Sequence, residues 1–227
     1  MAKVRLNAEQ RRIAIVEAAA PLFARDGFAG TTTRRIAAAA GVSEALMFQH
    51  FPSKAALYRE ILMLGCAGDP GLERLSQLEP STTALVEMVE LMVQHVVLGE
   101  SGAAGDTEVE ARLALHSLVE DGEYVRLVSE WVAERILPKY LACHAAAARA
   151  GDLRQAGGDP AHGFWFAYHV AAMTAFGRLS GRPAFPYGGA LPVVLTDLIG
   201  FILRGIGLED RVVEAHFRHR TTAEAAA

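Results

Sequence analysis

The sequence predicts an all-α protein of about nine helices, a small three-helix N-terminal head followed by a larger helical body. Three observations carry this. Apolar residues recur at helical spacing along most of the 227 residues, and no run alternates in the manner of a half-buried strand. Glycine and proline clusters cut these stretches into helix-sized lengths. Charge divides as well: residues 1–60 hold nine Lys or Arg against five acids, net +4, whereas the remainder holds 13 against 21, net −8. A basic head on an acidic body suits a nucleic-acid-binding module joined to a part that stays off nucleic acid.

The first helix is expected over 9–26, with Ile15, Ala18, Ala19, Leu22 and Phe23 inward and a kink at Pro21, which cannot donate to the helical ladder. The second covers 32–39 and the third 43–50. Pro52-Ser53 then breaks the chain and caps a fourth that runs to Leu64-Gly65. Residues 65–81 read as a linker with breakers at Gly68-Asp69-Pro70-Gly71 and Glu79-Pro80. A fifth helix follows over 81–99, striped by Leu85, Met88, Val89, Met92 and Val96. A sixth covers 106–120, and a seventh 122–150 that Pro138 bends or splits. The eighth, 159–180, opens at Asp159-Pro160. After the connector 181–189 the ninth runs over 190–206. The predicted division is a head of residues 9–64, a body of 65–217 and a disordered tail of 218–227.

Within the head, residues 32–51 have the layout of a helix-turn-helix. Thr32 and Ser43 can cap two short helices, and Gly41 can take the left-handed conformation that ends the first. So short a connection makes the helices cross steeply and turns one face of the second outward, toward a major groove. Capping alone would equally fit a helical hairpin in a core. Around this unit stand Ile15-Val16-Glu17-Ala18-Ala19, Leu22-Phe23, Gly27-Phe28, Thr31-Thr32, Ile36-Ala37, Ala40-Gly41-Val42-Ser43, His50-Phe51 and Ser53-Lys54-Ala55-Ala56-Leu57. Over residues 9–64 this set resembles the N-terminal domain of the TetR family of bacterial transcriptional regulators.

Donors at helix starts suit phosphate oxygens, which marks Thr31, Thr32, Ser43 and Ser53. Lys54 adds a cation there, and the resemblance implies that it contacts phosphate. Arg34 and Arg35 lie in a first helical turn, where a cation opposes the helix dipole, so an anionic partner or plain solvation is expected. On the third helix Glu44, Ala45, Leu46, Phe48 and Gln49 are the candidates for the groove, with Met47 and Phe51 turned to the core. Gln49 can pair with adenine, Leu46 and Ala45 can touch a thymine methyl, and Glu44 can accept from cytosine. The family more often has Gly, Thr and Tyr where this chain has Ala45, Leu46 and Phe48, so two hydroxyls suited to phosphate are missing. His50 either joins the DNA contact or bonds a backbone group.

For the body, the resemblance implies a ligand pocket among the fifth to seventh helices and a two-fold pairing of the eighth and ninth. Composition supports the pairing independently, because both last helices are apolar around most of their circumference and must be covered on all sides. Phe164, Trp165, Tyr168, Leu191, Val194, Leu195, Leu198, Phe201 and Ile202 are the candidate homodimer residues. Met88, Met92, His95, His116, Trp131, Phe166, His169 and Met173 are candidate pocket residues: methionine and aromatic side chains make adaptable apolar walls, and a few polar tips orient a ligand. A small apolar or aromatic effector follows as a class.

Cys66 and Cys143 lie too far apart in sequence for a zinc spacing or a disulfide framework, and no secretory leader opens the chain, so a reducing cytoplasm is expected. The longest apolar stretches, 164–176 and 190–203, are interrupted by His169 and Asp197 and fall short of a membrane span. Three function classes are open: a ligand-responsive regulator, most simply a repressor that binds a palindromic DNA operator as a homodimer; a helical scaffold that has lost DNA binding; and an all-helical enzyme. Cys143-His144 and the scattered His and Asp residues offer no nucleophile-base-orienter spacing and no metal cluster, so neither catalysis nor a cofactor is expected.

Overall fold

The computed structural model describes residues 7–66, 70–99, 107–154, 158–180, 182 and 184–225. Among these the chain forms twelve helices: α1 (Ala8–Gly30), α2 (Thr33–Ala39), α3 (Glu44–His50), α4 (Lys54–Cys66), α5 (Pro70–Gln77), α6 (Thr82–Leu98), α7 (Thr107–Val119), α8 (Glu123–Arg135), α9 (Leu137–Arg149), α10 (Pro160–Phe176), α11 (Leu191–Gly205) and α12 (Asp210–Ala225). The only β pairing among the described residues is an isolated bridge, Leu153 to Leu208. No described helix is long and apolar enough to cross a membrane.

Two expectations change and a third is narrowed. The supposed linker contains α5. The 122–150 helix splits, one of the two outcomes expected of Pro138, at Ile136, because Pro138 at the start of α9 has no N–H with which to continue the ladder. The tail expected to be disordered from 218 is helical to Ala225. At Pro21 the helical dihedrals of α1 continue, and the break comes instead at Gly27, with φ +70°. Pro21 is exposed, so the carbonyl that it leaves unbonded can be satisfied by solvent.

The chain divides into two compact units. The first joins residues 1–70 with 101–131, so the expected boundary at 64/65 cuts across it. Here α1 packs against α7, α4 and α2. Its core combines Ile15, Phe23, Ile36, Met47, Phe51, Leu57 and Tyr58 with Leu113, Tyr124 and Leu127 of α7 and α8. A reciprocal capping box between Asn7 and Gln10, at 2.8 and 3.0 Å, starts α1.

The second unit comprises residues 71–100 and 132–227. Its centre is α6, which packs against α9, α10 and α11 and buries Ala84, Leu85, Val86, Met88, Val89, Val93 and Val97. Ser81 caps its start, and Gly99 ends it in the left-handed conformation. Asp152, beside the Leu153–Leu208 bridge, accepts from Thr82 at 2.6 Å and from Arg211 at 2.7 Å. The Thr82 hydroxyl and then the Arg211 guanidinium hold its carboxyl below the usual aspartate range.

Candidate nucleic-acid interface

The helix-turn-helix forms from local signals. The Thr32 hydroxyl accepts from the Arg35 N–H at 3.3 Å and starts α2. At its end Val42 N–H bonds Ala37 O at 2.9 Å and Gly41 N–H bonds Ala38 O at 3.2 Å, the paired closure of a Schellman turn. Gly41 takes φ +65° there, a conformation disfavoured for any side chain with a Cβ. Ser43 then caps α3, accepting from Leu46 N–H at 3.2 Å. Met47 and Phe51 are buried with Ile36 and Ala37 of α2, as expected. The opposite side of α3 shows Ala45, Gln49 and Phe48, the last 45% exposed, with Leu46 half-buried beside them. A large exposed aromatic on so short a helix leaves its apolar surface for something outside the unit.

The flanking residues divide into those at the surface and those used internally. Thr32, Arg34, Ser43 and Glu44 are exposed. Glu44, however, accepts from the Thr33 hydroxyl at 2.6 Å, which orients its carboxylate toward α2. Arg35 pairs with Asp26 at 2.7 Å and reaches Gly30 O, and the Arg25 and Arg35 guanidinium groups hold the Asp26 carboxyl below its usual range. Two of the candidates are used inside the fold. Thr31 is fully buried, and its hydroxyl donates to Leu22 O at 3.1 Å, so it offers nothing to a phosphate. The Lys54 ammonium donates to Phe28 O at 2.7 Å and Thr31 O at 3.1 Å and lies 4.2 Å from the Phe28 ring centre; it serves the carbonyls at the end of α1.

Arg12 was missed in the sequence. It clasps Glu60 through two bonds, at 2.6 and 2.9 Å, donates to His50 O at 3.0 Å and lies over the Phe51 ring. The Glu60 carboxylate raises the pKa of this guanidinium above its ordinary value. It is the backbone carbonyl of His50, at the end of α3, that takes this bond, and the His50 residue is half-buried. Nothing in the local sequence around Arg12 marks it, since its partners lie 38 and 48 residues away.

The remaining candidates divide between the two units. His116 and Trp131 fall in the first, with His116 Nδ1 3.9 Å from Glu120. Met88, Met92, His95, Phe166, His169 and Met173 fall in the second. Met88 is plain core, and Met92 and His95 are half-buried. Phe166, His169 and Met173 are exposed and line no interior, Phe166 at 67% and Met173 at 56%. The register of α10 explains this: Phe164, Ala167, Ala171, Thr174 and Ala175 take the inner face. Among the interface candidates, Phe164, Leu195 and Ile202 belong to the unit's own core and cannot meet a partner. Trp165, Tyr168, Leu191, Val194 and Leu198 are half-buried, and Phe201 is 65% exposed. Val170, one of the apolar residues around the eighth predicted helix, and Val193, not singled out in the sequence, are exposed as well.

These features define a helix-turn-helix protein, an all-α chain with a nucleic-acid-binding type of head. Residues 15–61 match the family described as bacterial regulatory proteins, tetR family. It is 27% identical over 127 residues to the nucleoid occlusion factor SlmA of Vibrio atlanticus (strain LGP32), a match covering 56% of this chain and 62% of that one. The chain thus spans about 62% of the length of the curated relative it matches. Among solved structures, a tetR-family regulatory protein from Rhodococcus RHA1 aligns with a TM-score of 0.63 at 19% identity, over 88% of this chain and 99% of the other. HlyIIR, a hemolysin II transcriptional regulator, aligns at 0.58 and 17%, over 89% and 100%. AibR, solved with isovaleryl coenzyme A and operator DNA, aligns at 0.60 and 20%, over 84% and 97%. At these identities the structural likeness concerns the fold.

Proposed function

We propose that the chain is a ligand-responsive, DNA-binding transcriptional regulator, a repressor that sits on a palindromic operator as a homodimer and leaves it when a small apolar or aromatic effector binds. One observation carries the DNA half: α3 buries Met47 and turns Ala45, Phe48 and Gln49 outward, within residues 1–60 that carry net +4. That face holds one bidentate hydrogen-bonding group and apolar surface suited to thymine methyls, with Arg34, Thr32 and Ser43 beside it for phosphates. The dimer half is supported by the exposed apolar residues of α10 and α11: Phe166, Val170, Met173, Val193 and Phe201. An apolar surface of this kind favours a partner. The effector half rests on the match of residues 15–61 to the tetR family and on AibR, solved with both a ligand and operator DNA.

The test is selection of duplexes from a randomised pool, followed by affinity measurements against salt. A regulator enriches a two-fold symmetric sequence and shows a steep negative slope of log affinity against log salt. Absence of any enriched sequence would favour the reading as a scaffold with weakened DNA binding. Ligand coupling is tested by measuring effector affinity with and without saturating enriched duplex. Linkage requires each to weaken the other's binding by the same factor if the two compete, and equal affinities would remove the effector from the account.

A further inference from the structure

We infer that Glu120 is a positioning residue for the DNA-binding head, a carboxylate latch that holds the turn entering α2 and ties its setting to the corner between α7 and α8. This inference rests on the DNA-binding reading above.

At Gly27 the helix breaks with φ +70°, and Phe28–Gly30 restart it for a single turn before Thr31 and the cap of α2. Both N–H groups that open this turn are taken by one oxygen: Phe28 N–H and Ala29 N–H donate to Glu120 Oε2 at 2.9 and 3.2 Å. The residues lie 92 and 91 positions apart in the chain. Access depends on glycine, because a Cβ at position 27 would lie 1.8 Å from Glu120 Oε1. A side chain at 27 would drive the carboxylate out as well as strain the backbone.

The opposite end of the segment is held with opposite charge. The Lys54 ammonium binds the carbonyls of Phe28 and Thr31, and the Thr31 hydroxyl bonds back to Leu22 O. An anion on the amides and a cation on the carbonyls thus fix the four residues that precede the Thr32 cap of α2. The carboxylate itself stands on a rigid corner. Gly122 N–H bonds Ser117 O at 2.7 Å, and the buried Ser117 hydroxyl accepts from Tyr124 N–H at 3.0 Å and Val125 N–H at 3.3 Å. Aromatic contact follows the same line, Phe28 on Tyr58 at 4.9 Å and Tyr58 on Tyr124 at 5.4 Å between ring centres. A shift of the corner therefore reaches Thr32 through both backbone and rings. Charge-assisted bonds to paired N–H groups are strong and geometrically selective, which suits such a transmission.

The experiment compares wild type, Glu120→Ala, Glu120→Gln, Gly27→Ala and the Gly27→Ala/Glu120→Ala double variant. Each is examined by amide hydrogen exchange, by thermal melting, and by affinity for the duplex that the wild-type chain enriches from a randomised pool. In Glu120→Ala, exchange quickens at Phe28 and Ala29 while Ile15 and Leu57 stay protected, and DNA affinity falls about tenfold. Glu120→Gln keeps an oxygen able to accept the bonds without the charge and falls between Glu120→Ala and wild type on both measures. Gly27→Ala reproduces the exchange signature, and the double variant adds nothing to it at Phe28 and Ala29. Unchanged exchange at these amides in Glu120→Ala would overturn the latch whatever the DNA result. Faster exchange with unchanged affinity would equally overturn its role in positioning α2. A wild-type chain that enriches no duplex refutes the DNA-binding reading instead, and the exchange arms still decide whether the latch exists.

Discussion

Arg12 donates to the carbonyl of His50 at 3.0 Å, so the first helix of the chain closes the last turn of the helix proposed to read DNA. The same guanidinium is steadied by Glu60. Replacing Arg12 with Met keeps much of its packing but leaves the end of α3 without its donor. A stability loss of about 1–3 kcal/mol is expected from the charged hydrogen bonds, together with weaker DNA binding on every sequence. Denaturant melts and titrations with enriched and scrambled duplexes measure the two effects; an unmoved melting midpoint would show that the contact is idle.

Salt dependence separates Arg34 from Lys54. Arg34 is exposed, and Arg34→Ala is expected to lower the magnitude of the salt slope by about one. The Lys54 ammonium is held by two carbonyls, so Lys54→Met is expected to lower stability and leave the slope within error of wild type. A flattened slope for Lys54→Met would return this residue to the DNA surface.

Base preference should follow the outward face of α3. Gln49→Ala is expected to shift discrimination at one or two positions by about 1–3 kcal/mol. Phe48→Ala should instead reduce the penalty for replacing thymine by deoxyuracil, which lacks the methyl group. Repeating the duplex selection with each variant reads both outcomes, and identical enriched sequences would exclude these side chains from readout.

The exposed faces of α10 and α11 give a prediction about assembly. Phe201→Glu, alone or with Phe166→Glu, places charge where apolar surface now meets water. If this face joins two copies, sedimentation will show association weakened by about 2–4 kcal/mol, the scale of a central interface residue. Melting of the separated protomer should remain cooperative, because neither side chain belongs to its core.

The Asp152 contacts make stability depend on acid. Its folded pKa is depressed, first by the Thr82 hydroxyl and then by Arg211, so its contribution is complete above the ordinary aspartate range and is lost as pH falls through the lower folded value. Asp152→Asn should therefore melt earlier than wild type at neutral pH, with the difference closing under acid. A gap that stays constant down to strongly acidic pH would assign the effect to packing.

Legibility followed sequence distance. Thr32, Gly41 and Ser43 act on neighbours within a few residues, and their roles could be read from spacing alone. The partners of Thr31, Lys54, Arg12 and Glu120 lie 9 to 92 residues away, and no local pattern shows whether a cation meets a phosphate or a carbonyl. The Pro21 expectation failed for another reason: exposure decided the outcome, and exposure depends on packing. In α10 the apolar residues extend around the helix, so periodicity cannot choose a face. The fold turns Ala167, Ala171 and Ala175 inward beside Phe164 and leaves Phe166 and Met173 outside, a division that size alone would not give.

Leu113, Tyr124 and Leu127 complete the core beneath the helix-turn-helix, although they come from residues that follow it by some sixty positions or more. A fragment ending at residue 64 would lack that part of its own interior. Grafting this head onto a different body would accordingly require a two-piece transplant, residues 7–66 together with 107–131, rather than a cut at the apparent linker.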